Sequence, residues 1–301
     1  MPRVLVHGQV NYHLLRRLGG GAMGDVYSAR AVGGGVERWV CIKRLAGTLE
    51  PDDAALLREE ARILASVRHA NVLALLAVGE EPEGEPFLVL ELVDGMDLKR
   101  LCMVLPAGDR LPEMIAVHIS CAILRALGAV QRCLPGLVHR DVTPHNVLVS
   151  THGEVKLGDF GIALARDRAR WTQPLFVKGK VGYMSPEQIL GADIDGRSDL
   201  FAVGVILYEL LAGERPWGPL RGVRELRAVV DEPARPLPRR RNRAERALAG
   251  VVDRLLARRP EDRYATPEDA LRALAPFGAG ELGSLRLGAL VAAIEGRRED
   301  G

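Results

Sequence analysis

Over residues 12–92 apolar and polar positions alternate in short runs, and after residue 98 apolar positions recur at three- and four-residue intervals. The period therefore changes from strand to helix part-way along the chain. Residues 12–18, 25–30 and 37–44 are three strand-like runs separated by glycines, which predicts an antiparallel meander. A helix is predicted over 52–67, opened by Asp52 and Asp53 and carrying Leu56, Ile63, Leu64 and Val67 on one side. Residues 73–79 and 86–92 predict two further strands joined by the turn-forming EEPEGE segment. Beyond them Ile115, Ile119, Ile123, Leu127 and Val130 place a long, buried helix over 112–134. Shorter helices are predicted at 197–213, 220–230, 244–257 and 267–275, and 281–295 has one apolar side suited to packing on this helical part. The pattern is α+β: five antiparallel strands with one main helix, followed by a mostly helical second half.

Composition alters this picture little. At 301 residues the chain is long enough for one large or two ordinary domains, and 41 basic against 39 acidic residues leave a net charge of +2. That balance gives no sign of a nucleic-acid partner. Cys41, Cys102, Cys121 and Cys133 are widely spaced and form no CxxC pair, which predicts reduced thiols rather than a zinc site. Residues 1–15 lack the apolar core of a signal peptide, and the run 200–211 is interrupted by Glu209, so a cytoplasmic protein without membrane insertion is expected. Only five basic residues are lysines: Lys43, Lys99, Lys156, Lys178 and Lys180. In a chain that uses arginine almost everywhere else, a lysine is a candidate for a compact ammonium that a guanidinium replaces poorly.

Four blocks carry the chemistry. Gly19-Gly20-Gly21-Ala22-Met23-Gly24 fits GxGxxG, and because the residues after it continue as a strand, with Val26 at its start, the glycines form a hairpin rather than a Rossmann turn. Further on come His139-Arg140-Asp141-Val142-Thr143-Pro144-His145-Asn146, then Asp159-Phe160-Gly161, then Ser185-Pro186-Glu187. In this order and spacing the chain resembles the bacterial eukaryote-like Ser/Thr protein kinase family over about residues 12–275.

The resemblance implies a two-lobed kinase fold, with an extension at 1–11, lobes at 12–92 and 93–276, and a helical tail at 277–301. It implies ATP as phosphoryl donor, Mg²⁺ as cofactor with Mn²⁺ as the alternative, and protein hydroxyls as acceptors. Gly19, Gly21 and Gly24 would cover the phosphates, and Lys43 of the Val40-Cys41-Ile42-Lys43 strand would reach them while held by Glu60, with neighbouring Glu59 turned more to solvent. The backbone of Glu91 and Val93 would bind adenine beside Leu90. Asp97 is read either as a ribose contact or as a helix N-cap. Asp141 would accept the acceptor's proton, and Asn146 and Asp159 would hold the metal. His139 and Phe160, with Leu64 and Leu75, match an apolar spine anchored by Asp199, and Glu187 with Arg263 matches a buried ion pair.

The chain departs from the family where Thr143 stands in place of a catalytic-loop lysine and Lys180 in place of a threonine. Lysine and threonine have exchanged places, which predicts that Lys180 returns an ammonium to the site with Thr143 completing its hydrogen bonding. His145 is a further basic candidate, although it is not the arginine expected for tyrosine specificity. The alternative is a nucleotide-binding scaffold with weak transfer or none. Arg140 before Asp141 predicts control by phosphorylation, with Thr172 as the site and self-association as its route. The chain ends shortly after the last kinase helix, so regulation is expected from other molecules.

Overall fold

The computed structural model describes residues 4–21, 24–45, 53–82, 84–105, 110–160, 181–220, 222–238, 242–278 and 280–299. It divides into two compact units, 1–93 and 94–301.

The amino-terminal unit is an antiparallel sheet of six strands in the order β1-β2-β3-β4-β6-β5. They are β1 (Val4–His7), β2 (Val10–Gly21), β3 (Gly24–Gly33), β4 (Val36–Arg44), β5 (Leu75–Glu80) and β6 (Pro86–Glu91). Five were expected. The sixth, β1, pairs its four residues with positions 10–13 of β2, and with one buried side chain, Leu5, it is too short to show an alternating pattern. Leu5, Tyr12, Leu14, Ala29, Ala31, Val40, Ile42, Phe87 and Val89 form the core of this sheet. One helix, α1 (Asp53–Ser66), packs on β5 and β6 through Leu57, Ala61, Ile63 and Leu64.

The carboxy-terminal unit is built on two nearly all-apolar helices, and helices of that kind belong inside a protein. In α3 (Glu113–Cys133) fourteen residues are buried, among them the Ile115–Val130 series, so its membrane-span length and hydropathy reflect a core position. Helix α5 (Gly196–Ala212) is capped by Asp195 at its start and by Gly213, at φ 79°, at its end. Around them lie α2 (Leu98–Val104), α4 (Pro186–Ile189), α6 (Val223–Asp231), α7 (Arg243–Leu255) and α8 (Pro267–Leu274). A three-stranded sheet, β7 (Gly95–Asp97), β8 (Val147–Ser150) and β9 (Val155–Leu157), was not anticipated. The last helix, α9 (Glu281–Glu299), docks on α3, β7 and β8 with Leu287 and Val291 fully buried. Its close approach requires Gly288, where a Cβ would press on the 151–153 backbone. All four cysteines are free thiols.

Candidate active site

In the amino-terminal unit the glycine block is a hairpin. Gly19 pairs with Val26, Gly20 with Asp25 and Gly21 with Gly24. A Cβ at Gly19 would meet nothing within 4 Å, which leaves room above the backbone, whereas Gly24 has φ +130° and a Cβ there would collide with the Arg44 carbonyl. Gly24 is thus required by its own backbone conformation and by the packing of β3 on β4. The hairpin stem is braced by Arg17, whose Nε donates to Asp25 Oδ1 at 3.0 Å, and by the Tyr27 hydroxyl, which donates to Asp25 Oδ2 at 3.1 Å. The Arg17 guanidinium holds the Asp25 carboxyl below its ordinary range.

Register places Lys43 between Val26 on β3 and Leu88 on β6. Its Nζ donates to Glu60 Oε1 at 2.9 Å and to Oε2 at 2.8 Å, and the residues are 4 % and 1 % exposed. Glu59, one position earlier on α1, pairs instead with Arg62 on the surface. Leu90 is buried opposite Cys41. At Glu91 the backbone N–H donates to the Ala74 carbonyl at 3.0 Å while its carboxylate accepts the Ala74 N–H at 2.7 Å. Val93 closes the unit.

In the carboxy-terminal unit Asp97 caps α2, accepting the Arg100 N–H at 2.8 Å. The cap reading of this residue therefore has a definite geometry. The loop from 139 to 146 has little regular structure, and its backbone groups must find side-chain partners. Asp199, at the start of α5, accepts the N–H of His139 at 2.8 Å and of Arg140 at 2.9 Å. Burial pushes its carboxyl up to about 7 against the downward pull of those two donors. His139 is 1 % exposed and its ring lies 4.6 Å from that of Phe160. Burial lowers its pKa to about 4, so the imidazole is neutral. The contacts suit one tautomer: Nε2–H donates to the Gly158 carbonyl at 3.2 Å, and Nδ1 accepts the Asp141 N–H at 3.3 Å.

Asp141 is pinned by Asn146, whose amide nitrogen donates to the Asp141 carbonyl at 2.7 Å and to its Oδ2 at 2.8 Å. Both bonds use the nitrogen, and the amide oxygen is the atom suited to a cation. The Asp159 carboxylate is exposed. Arg140 at φ 68° and Asp159 at φ 51° are the non-glycine residues with left-handed backbone among those described. Such conformations cost of order 1–3 kcal/mol each and concentrate at functional sites. Asn146 and Asp159 offer the hard oxygen donors that Mg²⁺ prefers, in the small number usual where substrate phosphates complete the shell. Thr143 is 2 % exposed and its Oγ1 has no hydrogen-bond partner among the described residues.

The 181–188 segment adjoins this loop. Gln188 and Ser185 form a reciprocal capping box on α4, and Gln188 Nε2 also donates to the Arg140 carbonyl at 3.0 Å. The S-x-x-Q spacing could have revealed this cap from sequence. The Tyr183 hydroxyl donates to Glu209 of α5, beneath an Arg215–Glu225 ion pair, and no local pattern pointed to either contact. Arg263 forks onto Glu187 at 2.6 and 2.8 Å and also donates to the carbonyls of Ala257, Arg197 and Arg258. Burial alone would raise the Glu187 carboxyl, yet Arg263 and the Ser198 hydroxyl bring it below its ordinary value. Gly161, Thr172, Lys178, Gly179 and Lys180 lie outside the described residues.

Residues 12–273 match the Protein kinase domain family. The chain belongs to the protein kinases. It is 34% identical over 297 residues to the Tyrosine-protein kinase MasK of Myxococcus xanthus, covering 93% of this chain and 45% of that protein. To the probable serine/threonine-protein kinase PknB of Lactococcus lactis it is 34% identical over 262 residues, covering 86% of this chain and 41% of the relative. The kinase thus spans less than half the length of these relatives. Among solved structures, the PknI kinase domain of Mycobacterium tuberculosis superposes with a TM-score of 0.61 at 28% identity, covering 89% of this chain and 96% of that one.

Proposed function

We propose that this chain is an ATP-dependent protein kinase that phosphorylates serine and threonine hydroxyls. The observation that carries the proposal is the loop in which Asn146 pins Asp141 at both its carbonyl and its carboxylate. An enzyme that works by positioning needs such a fixed acceptor for the substrate proton. The incoming hydroxyl passes its proton to Asp141, its oxygen bonds to Pγ, and the bond from Pγ to the bridging oxygen breaks with its electron pair leaving on ADP. Gly19, Gly21, Gly24 and Val26 line the phosphate side, Lys43 held by Glu60 meets the phosphates, and the backbone of Glu91 and Val93 takes the adenine. Asp97 contacts the ribose in addition to capping α2. Asn146 and Asp159 would hold Mg²⁺, or Mn²⁺ in its place, which would neutralise phosphate charge. Lys180 supplies the ammonium that position 143 does not.

The paired Lys43 and Glu60 and the intact Asp141, Asn146 and Asp159 support transfer over a nucleotide-binding scaffold. Arg140 supports phosphate control through Thr172, with a second copy as the phosphorylating enzyme. A second reading, tyrosine as acceptor, is favoured by the name of MasK, the relative aligned over 93% of the chain, and opposed by His145 where an arginine would stand. Incubation with labelled ATP, Mg²⁺ and a mixed protein substrate, followed by phosphoamino-acid analysis, tests both. Phosphoserine or phosphothreonine that vanishes in Asp141→Asn is expected. Nucleotide binding without transfer under either metal would leave the scaffold, and phosphotyrosine alone would replace the acceptor class.

A further inference from the structure

Helix α9 lies beyond residues 12–273, the stretch that matches the kinase family, yet it is built firmly into the second unit. Ser284, Gly288, Val291 and Glu295 recur at intervals of four, three and four, which places them on one side of the helix beside the fully buried Leu287. Early on this side the Ser284 hydroxyl donates to the Gly153 carbonyl at 3.2 Å, and Gly288 approaches the 151–153 turn so closely that a Cβ would press on the Thr151 carbonyl oxygen. That turn holds Asp94. The Thr151 N–H donates to the Asp94 carbonyl at 2.8 Å and the Thr151 hydroxyl donates to its Oδ2 at 2.9 Å. Further along α9, Glu295 pairs with Arg100 of α2, Nη2 to Oε1 at 2.8 Å, and both contact atoms are shielded from water. Strand β7, between these two grips, also packs on α9.

We infer that α9 is a positioning element for the nucleotide, and that Glu295 is the residue through which it holds Asp97 in place. The inference rests on the kinase reading above, in which the ribose meets Asp97, and deepens it. Residues 94–100 follow directly on Val93, with β7 ending at Asp97 and α2 opening at Leu98. Asp97 thus stands at the joint between a three-residue strand and a seven-residue helix, elements too short to be stiff on their own. Its carboxylate is aimed by the Arg100 N–H, which uses Oδ1 and leaves Oδ2 as the oxygen suited to a ribose hydroxyl. The residue that aims Asp97 is therefore the one whose guanidinium Glu295 ties down. Any rotation of α2 would carry the Arg100 N–H and Asp97 with it, so fixing the guanidinium fixes both. Stability alone gives this pair little purpose, because Leu287 and Val291 already anchor α9 and an ion pair whose side chains are each 29 % exposed adds little to folding.

Calorimetric binding of ADP with Mg²⁺ tests this without requiring phosphate transfer, and 2′,3′-dideoxy-ADP, which lacks both ribose hydroxyls, separates the placing of Asp97 from a general loosening of the fold. Glu295→Gln and Arg100→Gln are each expected to weaken ADP roughly two- to fivefold, the range of one partly exposed ion pair, and to leave dideoxy-ADP unchanged. Arg100→Glu combined with Glu295→Arg rebuilds the pair in reverse and should recover the affinity for ADP. In a transfer assay Glu295→Gln should raise the KM for ATP, with kcat at saturating ATP and the KM for the protein substrate unchanged. Leu285→Ala, at a position of α9 that is 67 % exposed, should match the parent. An unchanged ADP affinity in Glu295→Gln, an equal loss for both nucleotides, or a reversed pair no better than the single variants would each overturn the inference. A parent that binds ADP but transfers no phosphate would end the kinase reading, while the comparison of the two nucleotides still decides the role of Glu295.

Discussion

The two units hold their reactive side chains by different means. In the amino-terminal unit, position follows from sheet register: β4 is hydrogen-bonded on both sides, its backbone is satisfied by its neighbours, and Lys43 is held by Glu60. In the carboxy-terminal unit the 139–146 loop lacks that ladder. Asp199 holds two N–H groups, Gln188 a carbonyl and Asn146 both ends of Asp141. Arg263 adds five donor contacts behind the same region. An irregular loop that must be rigid draws on buried polar side chains from elsewhere in the fold, since every buried backbone group needs a partner. The second region should accordingly be vulnerable to substitutions far from the chemistry, and the first should not.

The largest effect is expected from Asp141→Asn, which removes the proposed proton acceptor while keeping an oxygen for the Asn146 amide. Single-turnover transfer should fall about 10³-fold, and a fall of less than tenfold would mean that Asp141 does not do this work. Next, Arg263→Ala leaves Glu187 buried without its counterion and should destabilise the protein by about 3–5 kcal/mol. Lys43→Ala, which removes the two hydrogen bonds to Glu60 against the five that Arg263 makes, should cost less. Equal losses in urea titrations of the two variants would break the comparison between the units.

The pH dependence of the same pair is a finer probe. The folded Glu187 carboxyl lies below its unfolded value of about 4.3, so its contribution is complete above that pH and is lost as pH falls through the folded value. Tm measured from pH 6 down to pH 3 should therefore drop more steeply in the parent than in Glu187→Gln, and parallel curves would remove Glu187 from the acid response. The smallest effect belongs to Asp97→Ala, which should cost about 1 kcal/mol through loss of the α2 cap. A KM for ATP that rises alongside would add the ribose contact, and an unchanged KM would reduce Asp97 to the cap alone.

Much of this could be read along the chain, and the exceptions share a cause. The helix over 52–67 appears at Asp53–Ser66 and that over 112–134 at Glu113–Cys133, because long apolar stripes announce themselves through their period. The choice of Glu60 over Glu59 followed from the resemblance to the family's helix, and the structure pairs Lys43 with the former. By contrast β1 and the β7-β8-β9 sheet consist of strands of three or four residues, too short for a period of two to be recognised. The strand count was missed for that reason. Gln188 on Arg140 and Tyr183 on Glu209 escaped because their partners lie 48 and 26 positions away, and neither contact leaves a trace in local spacing.

Residue order alone was enough to show the strand-then-helix order and the resemblance to the kinase family, and through that resemblance to name Lys43, Glu60, Asp141, Asn146 and Asp159 as candidate site residues. How Asp141 is made rigid, why Gly24 cannot carry a Cβ, and the lack of a partner for the Thr143 hydroxyl among the described residues depended on the folded chain. Each is a relation between groups that folding brings together or leaves apart. Hydrogen-bond satisfaction is a property of such neighbourhoods, and no single stretch of sequence contains them.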